Sequence, residues 1–237
     1  MIILPSKKII LFLVEGITDK TALGAVMGKI VRNDKIEFQI TRGDLTSDPS
    51  CSISNILERV CFTVKEFSGK IFKAKDFAEV IHLVDTDGAF IPQELVLYDE
   101  LAEDPVYELE CIKTKNVDYI RNRNNKKTAI IKKLMSTKTV WKTIPYSVYY
   151  FSCNLDHVLY NELNLSSAEK NDKSNHFERS CSENPIEFLN LINADNIGTK
   201  GTYEETWAFI QNNKNSLNRF TNFNLLFNEN AKNKKLI

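Results

Sequence analysis

Buried-strand runs and helical repeats alternate along the first part of the chain. Residues 9–14 form a continuous apolar run, which is typical of a strand buried on both faces of a parallel sheet. Residues 19–32 and 53–71 carry apolar side chains at helical spacing, while residues 36–41 alternate apolar and polar and residues 80–84 form a further apolar run. The order strand, helix, strand, helix, strand predicts an α/β layer with right-handed crossovers and a mostly parallel sheet.

The remaining sequence predicts one more strand, at residues 147–151, and then mainly helix. The helical segments are residues 155–163, 186–193 and 203–211. Residues 171–184 are polar, which predicts a surface loop between these helices. We therefore predict a Rossmannoid α/β domain over residues 1–155 and a helical C-terminal extension over residues 156–237.

Composition and cysteine spacing exclude several classes of protein. Of the 237 residues, 43% are hydrophobic and 26% are charged, which excludes a mainly disordered chain, a collagen and a coiled-coil rod. The five cysteines are widely spaced without a C-x-x-C motif, which argues against a disulfide framework and against a zinc module. No run of 18 uncharged apolar residues occurs, so we expect a cytoplasmic protein without a membrane span.

The balanced total charge hides an uneven distribution. The chain has 31 Lys and Arg residues against 31 Asp and Glu residues, yet residues 89–111 contain seven acidic residues and no basic ones. Residues 113–142 contain a single acidic residue and ten basic ones: Lys113, Lys115, Arg121, Arg123, Lys126, Lys127, Lys132, Lys133, Lys138 and Lys142. This basic insert is either a solvated helix face or flexible loop, or a surface that contacts nucleic-acid phosphates.

Two acidic clusters follow predicted strands and carry the candidate chemistry. The segment Glu15-Gly16-Ile17-Thr18-Asp19 follows the first strand, and Asp85-Thr86-Asp87-Gly88 follows the third. Parallel strands end at one edge of a sheet, where ligands usually bind, so we expect Glu15, Asp85 and Asp87 to point into one crevice. Carboxylates that share a small site need compensation, and Mg²⁺ or Mn²⁺ with oxygen ligands provides it.

Each cluster also has a plain structural interpretation. Thr18 or Asp19 can cap the following helix, and an Asp-x-Asp-Gly segment is often a turn. The two clusters together, each after a buried run and separated by one strand and two helices, are more specific than either one alone.

The paired motifs resemble those of the Toprim domain, which topoisomerases, bacterial primases, small ribonucleases and overcoming-lysogenization-defect nucleases share. The matching segments are residues 11–19 and 81–88, within a resemblance that covers roughly residues 7–155. The resemblance implies a Mg²⁺- or Mn²⁺-dependent nuclease with the catalytic residues Glu15, Asp85 and Asp87. It implies that the metal ligands are Glu15, Asp19, Asp85, Asp87 and Asp156, while Asp44 is a further site candidate. For Asp156, a helix N-cap is an equally weighted alternative.

Within that resemblance, the chain is most similar to stand-alone nucleases that work with ATPases in phage defence. A topoisomerase needs a cleavage domain for which the chain has no room, and the cysteine spacing does not suit a primase. The chain has no G-x-x-x-x-G-K-[ST] motif, so the resemblance implies an ABC- or SMC-like ATPase as partner. It further implies nucleic acid as partner, and it admits a homodimer. The phosphate-contacting residues would be Lys113, Lys115, Arg121, Arg123, Lys126, Lys127, Lys132 and Lys133.

Other functions remain open from the sequence. The fold can serve as a non-catalytic module that binds nucleic acid or a partner protein, or as a small ribonuclease that matures structured RNA. A receiver-like phospho-switch also gathers acidic residues at strand ends, but the Glu-Gly turn and the Asp-x-Asp-Gly segment fit that class poorly.

Overall fold

A five-stranded sheet forms the centre of the protein. The structure, a computed structural model, describes residues 8–31, 35–41 and 43–227. The strands are β1 (Ile9–Val14), β2 (Lys35–Ile40), β3 (Phe77–Asp85), β4 (Val96–Tyr98), β5 (Val106–Tyr107), β6 (Ile112–Thr114), β7 (Thr139–Val140) and β8 (Ile144–Phe151). The central sheet has the order β2-β1-β3-β8-β7, and all its neighbouring strands are parallel except β7 and β8.

Helices cover both faces of this sheet. The helices are α1 (Ile17–Ile30), α2 (Ile56–Ser68), α3 (Val117–Met135), α4 (Leu155–Tyr160), α5 (Ser167–Glu183), α6 (Pro185–Asn193) and α7 (Tyr203–Ile210). Alternate residues of β1 point to opposite faces, so Phe12 packs with α1 and α6 whereas Leu11 packs with α2, α3 and α7. Because both faces are buried, every residue of β1 is apolar.

A smaller sheet stands beside the sheet edge where β3 ends. It has the order β4-β6-β5. Its strands come from the acidic segment, residues 89–111, and from the start of the basic insert, residues 113–142. Ile112 and Ile120 bury against Leu217, which lies in a short 3-10 helix near the end of the described chain.

The segment near residue 220 is bonded to the central sheet. The Ser152 N–H donates to the Phe220 carbonyl at 2.8 Å, and the Tyr150 N–H donates to the Asn222 Oδ1 at 2.9 Å. Nearby, the Thr86 hydroxyl donates to the Ser216 carbonyl at 2.9 Å. Residues on either side of position 155 therefore share hydrogen bonds and a common core.

The predicted α/β class with a mostly parallel sheet is confirmed. The predicted loop at residues 171–184 is wrong, because nearly all of that range belongs to α5, which packs along α1. The first helix begins at Ile17 instead of residue 19, with Gly16 as its N-cap residue. Residues 228–237 of the predicted extension lie outside the described residues.

Candidate functional site

The carboxyl ends of four neighbouring strands bring acidic residues to one edge of the sheet. Glu15 follows β1 directly, and Asp85 is the last residue of β3. Asp44 lies in the loop after β2, and Asp156 lies in the first turn of α4, which follows β8. We call the carboxylates gathered there the acidic edge, and they are Glu15, Asp19, Asp44, Asp85, Asp87 and Asp156.

Glu15 and Asp85 are in direct contact, because β1 and β3 are adjacent strands. The Asp85 backbone N–H donates to the Glu15 Oε1 at 3.4 Å, and the Leu155 N–H donates to the Asp85 Oδ1 at 3.0 Å. These bonds hold both side chains at the opening of the crevice between β1, β3 and α4.

Asp19 completes a group of three carboxylates around a small cavity. Its Oδ2 accepts the Gly16 N–H at 2.9 Å, so Asp19 closes the turn from the third position of α1 and is not the N-cap residue. The cavity holds about 10 Å³, the size of one water molecule or ion. Its lining consists of Val14, Glu15, Asp19, Leu23, Leu83, Asp85, Phe151 and Leu155.

Burial and mutual repulsion disfavour negative charge on these three side chains. Each keeps some contact with solvent, yet protein atoms crowd around it, so desolvation is the largest effect on its pKa. The pKa of Glu15 lies well above its usual value through burial and then through Asp44 and Asp85. Burial and the neighbouring Asp19 raise the pKa of Asp85 in the same way. Burial raises the pKa of Asp19 to about 6.

Asp44 and Asp87 face a buried lysine. The Lys127 Nζ donates to the Asp44 Oδ2 at 2.7 Å and to the Asp87 Oδ2 at 2.5 Å, and the Lys127 side chain is completely buried. Burial opposes charge on Asp44, but the Lys127 ammonium outweighs it and holds the pKa of Asp44 well below its usual value. The Lys127 pKa lies well above its usual value, because attraction to Asp87 and Asp44 exceeds the cost of burial.

The acidic edge therefore has two electrostatically different halves. Lys127 places one positive charge between the two carboxylates of the half formed by Asp44 and Asp87. In the part of the chain that the structure describes, Glu15 and Asp85 form no ion pair within 4.0 Å.

Asp156 is paired with a lysine from α5. The Lys170 Nζ lies 2.9 Å from the Asp156 Oδ2, and Lys170 is also attracted to Asp85 and Asp19. The N-cap interpretation of Asp156 is wrong, because the Asn154 side chain accepts the His157 N–H and caps α4.

The predicted phosphate-contacting residues differ in their exposure and in whether they pair with acidic residues. Lys132 and Lys133 are exposed on α3, whereas Lys113 and Lys115 pair with Glu108 and Glu103 of the acidic segment. The half-buried residues are Arg121, Arg123 and Lys126. The Arg123 guanidinium donates to the Asp87 carbonyl at 2.8 Å and to the Tyr107 hydroxyl at 2.5 Å, so it braces the turn beside the acidic edge.

Lys127 is buried and does not lie on the basic surface that the sequence predicted. It lies on the inner face of α3, between Ile120 and Leu134, each seven residues away, and three residues from Ile130. That spacing places Lys127 on the apolar stripe of the helix, and this was the signal in the sequence that would have separated it from its neighbours.

Lys170 was missed because α5 was not predicted: no element was predicted at residues 164–170, and residues 171–184 were predicted to be a loop. The sequence Ser166-x-x-Glu169 is a capping box, in which the Ser166 hydroxyl accepts the Glu169 N–H and the Glu169 carboxylate accepts the Ser166 N–H. This motif marks the start of a helix even though the polar composition of α5 does not.

The carboxylates of the cavity fit a hard divalent cation in chemical type. Mg²⁺ and Mn²⁺ prefer oxygen donors, and Glu15, Asp19 and Asp85 all line one ion-sized space. As the side chains stand, no three His, Cys, Asp or Glu residues among those described converge on a single coordination point.

Within the described residues, no helix combines the length and the apolar character needed to cross a membrane.

Comparison with known proteins leaves the resemblance resting on the motifs alone. No protein-family model, no curated protein and no solved structure matches this chain.

Proposed function

We propose that the protein is a nuclease that hydrolyses phosphodiester bonds of DNA or RNA with Mg²⁺ or Mn²⁺. In this proposal Glu15, Asp19 and Asp85 hold the ion, and Asp156 stands beside them. One observation carries the proposal: an ion-sized cavity at the carboxyl edge of a parallel sheet is lined by three carboxylates whose pKa values burial raises. A divalent cation removes that electrostatic conflict.

The residues of the acidic edge divide the work of hydrolysis. A bound divalent ion polarises a phosphoryl oxygen and favours the hydroxide form of water. By the resemblance, Glu15 is either a ligand of that ion or the general acid or base of the scheme. Asp85 supports Glu15 through its backbone N–H, which donates to the Glu15 carboxylate.

The basic insert provides the nucleic-acid contact in this proposal. Lys132 and Lys133 are exposed on α3, the helix that also carries Lys127 into the acidic edge. Exposed lysines on one helix suit the sequence-independent phosphate contacts that hold a nucleic-acid backbone.

The resemblance supports a narrower form of the proposal. In that form the protein is the effector of an ATPase-coupled anti-phage system, with tRNA among its substrates. This form rests on the motifs at Glu15 and Asp85 and on the missing ATP-binding motif. Fold-level similarity alone does not identify a substrate.

The test is cleavage by the purified protein of DNA and of structured RNA, including tRNA, with Mg²⁺, with Mn²⁺ and with EDTA. We expect cleavage with either metal and none with EDTA. The variants Glu15→Gln and Asp85→Asn should lower the rate by about a hundredfold or more, which is the usual contribution of a positioned acid or base.

Glu58→Gln is the matched control, because Glu58 is an exposed carboxylate on α2, outside the acidic edge. It should cleave at the wild-type rate. Cleavage that persists in both acidic-edge variants would remove the proposed site. Nucleic-acid binding without cleavage under any of these conditions would favour the non-catalytic module.

A further inference from the structure

The Lys127 ammonium already occupies part of the acidic edge as a cation. It lies between the Asp44 and Asp87 carboxylates, within hydrogen-bond distance of both, and its side chain has no solvent exposure. The Asp44 and Asp87 side chains keep about one fifth of their surface exposed, so the lysine closes the site from beneath while the carboxylates face outward.

We propose that Lys127 is a tethered cation that takes the position of a second divalent ion, so that the protein binds one divalent ion per chain. That ion lies on the side of Glu15, Asp19 and Asp85, and Asp44 and Asp87 hold the ammonium. This inference rests on the proposed function, because it concerns the number of ions in the same site.

The backbone separates the two aspartates of the Asp-x-Asp motif. Asp87 has a left-handed backbone with φ of 46°, and Gly88 follows with φ of 65°. The side chain of Asp85 accepts the Leu155 N–H, whereas that of Asp87 accepts the Lys127 ammonium. The two carboxylates therefore have different partners, although only one residue lies between them. The strain of the turn is offset by the bonds that hold it.

A divalent ion between Asp44 and Asp87 would have to displace the ammonium. Lys127 is anchored by its position on the buried face of α3, next to Asn124 and Ile130. A displaced ammonium would be buried without its partners, which is strongly unfavourable. A divalent ion in the cavity near Glu15 would displace no lysine, because three of the lining residues are carboxylates and the other five are apolar.

The test counts bound Mn²⁺ ions by equilibrium dialysis of the purified full chain. Wild type should bind one ion. Lys127→Met, which keeps most of the length of the side chain and removes its charge, should bind two, because Asp44 and Asp87 are then left without compensation. Adding Asp44→Asn to Lys127→Met should return the number to one.

If Lys127→Met fails to fold, the single variant Asp44→Asn still tests the inference. We expect it to change the Mn²⁺ dissociation constant by less than about threefold, whereas Asp85→Asn should raise it at least about tenfold, the smallest loss typical of metal-site residues. A tenfold loss in Asp44→Asn would make Asp44 a ligand and overturn the inference.

The outcomes separate this inference from the proposed function. Two ions bound by wild type, or one ion bound by a folded Lys127→Met, would overturn the tethered cation and leave the nuclease proposal intact. If wild type binds no Mn²⁺, both proposals fail.

Discussion

The Asp44 carboxylate accepts a hydrogen bond from the buried Lys127 ammonium at 2.7 Å, and 83 residues separate the two along the chain. Asp44→Asn keeps the shape of the side chain and removes its charge. We expect it to lower the free energy of unfolding by about 2 kcal/mol, the usual contribution of a hydrogen bond to a charged group. Urea denaturation at pH 7 followed by circular dichroism measures this.

Asp195→Asn is the control for that change. Asp195 pairs with Lys200 at 2.7 Å, but both side chains are more than three quarters exposed. Solvent screens such a pair, so no change in stability should be measurable. Equal losses in the two variants would show that the burial of Lys127 adds nothing to the interaction with Asp44.

We expect His82 to make the stability of the protein depend on pH. It lies in β3 with its Nδ1 2.7 Å from the Tyr146 hydroxyl, and burial lowers its pKa to about 4. The unfolded chain takes up a proton near pH 6.5, while the folded chain does so only near pH 4. The contribution of the neutral His82 to the free energy of unfolding should therefore be fully present above pH 6.5. It should fall by about 3 kcal/mol as pH falls toward 4.

The measurement is urea denaturation of wild type and His82→Gln between pH 7.5 and pH 4. The carboxylates titrate in both proteins, so the difference between the two curves isolates His82. The difference in free energy of unfolding should shrink as pH falls. Only the unfolded wild type has a histidine at position 82 that takes up a proton and is stabilised by it. A difference that stays constant with pH would contradict the buried neutral histidine.

Gly88 allows the small sheet and the acidic edge to pack together. A Cβ atom there would lie 2.6 Å from the Leu217 Cδ2 and 3.0 Å from the Ile112 Cδ1, at a backbone with φ of 65°. Gly88→Ala should therefore lower the free energy of unfolding by about 3 kcal/mol, through left-handed strain and overpacking.

Gly24→Ala is the matched substitution within α1. A Cβ atom at Gly24 meets nothing within 4 Å, so alanine should stabilise the helix by about 1 kcal/mol. Thermal unfolding of both variants, with the midpoints on opposite sides of the wild-type value, checks the pair. A Gly88→Ala variant as stable as wild type would show that this turn tolerates a side chain.

The exposed lysines of α3 are expected to set part of the salt dependence of nucleic-acid binding. Replacing Lys132 and Lys133 together by Gln should weaken duplex binding and reduce the slope of log affinity against log salt by about 2. Fluorescence anisotropy at several salt concentrations measures the slope. Lys70→Gln, an exposed lysine after α2, should leave the slope unchanged. An unchanged slope in the double variant would place the phosphate contacts elsewhere.

The inner strands β1 and β3 were predictable because they are largely buried on both faces. The apolar run at residues 9–14 appears in the structure with the same bounds, and the run at residues 80–84 extends to Phe77–Asp85. Helix α5 was not predictable from apolar spacing, because it packs on α1 through few large side chains, among them Phe177 and Cys181.

The candidate site was predictable only as far as strand adjacency determines it. Glu15 and Asp85 meet because β1 and β3 are neighbours, whereas the sequence placed these strands either adjacent or one strand apart. The position of Lys127 depends on how α3 crosses the sheet and on the loop that presents Asp44, and neither follows from local spacing. The separation of Asp85 and Asp87 likewise depends on the left-handed conformation of Asp87.

The hydrogen bond from Thr86 to Ser216 has a consequence for synthesis on the ribosome. The turn after β3 emerges early, but the partners that hold it and the end of β8 are residues 215–222, which are translated 130 positions later. A chain grows from its N-terminus and folds as its partners become available. The acidic edge is therefore expected to reach its final shape only after residues 215–222 have been synthesised.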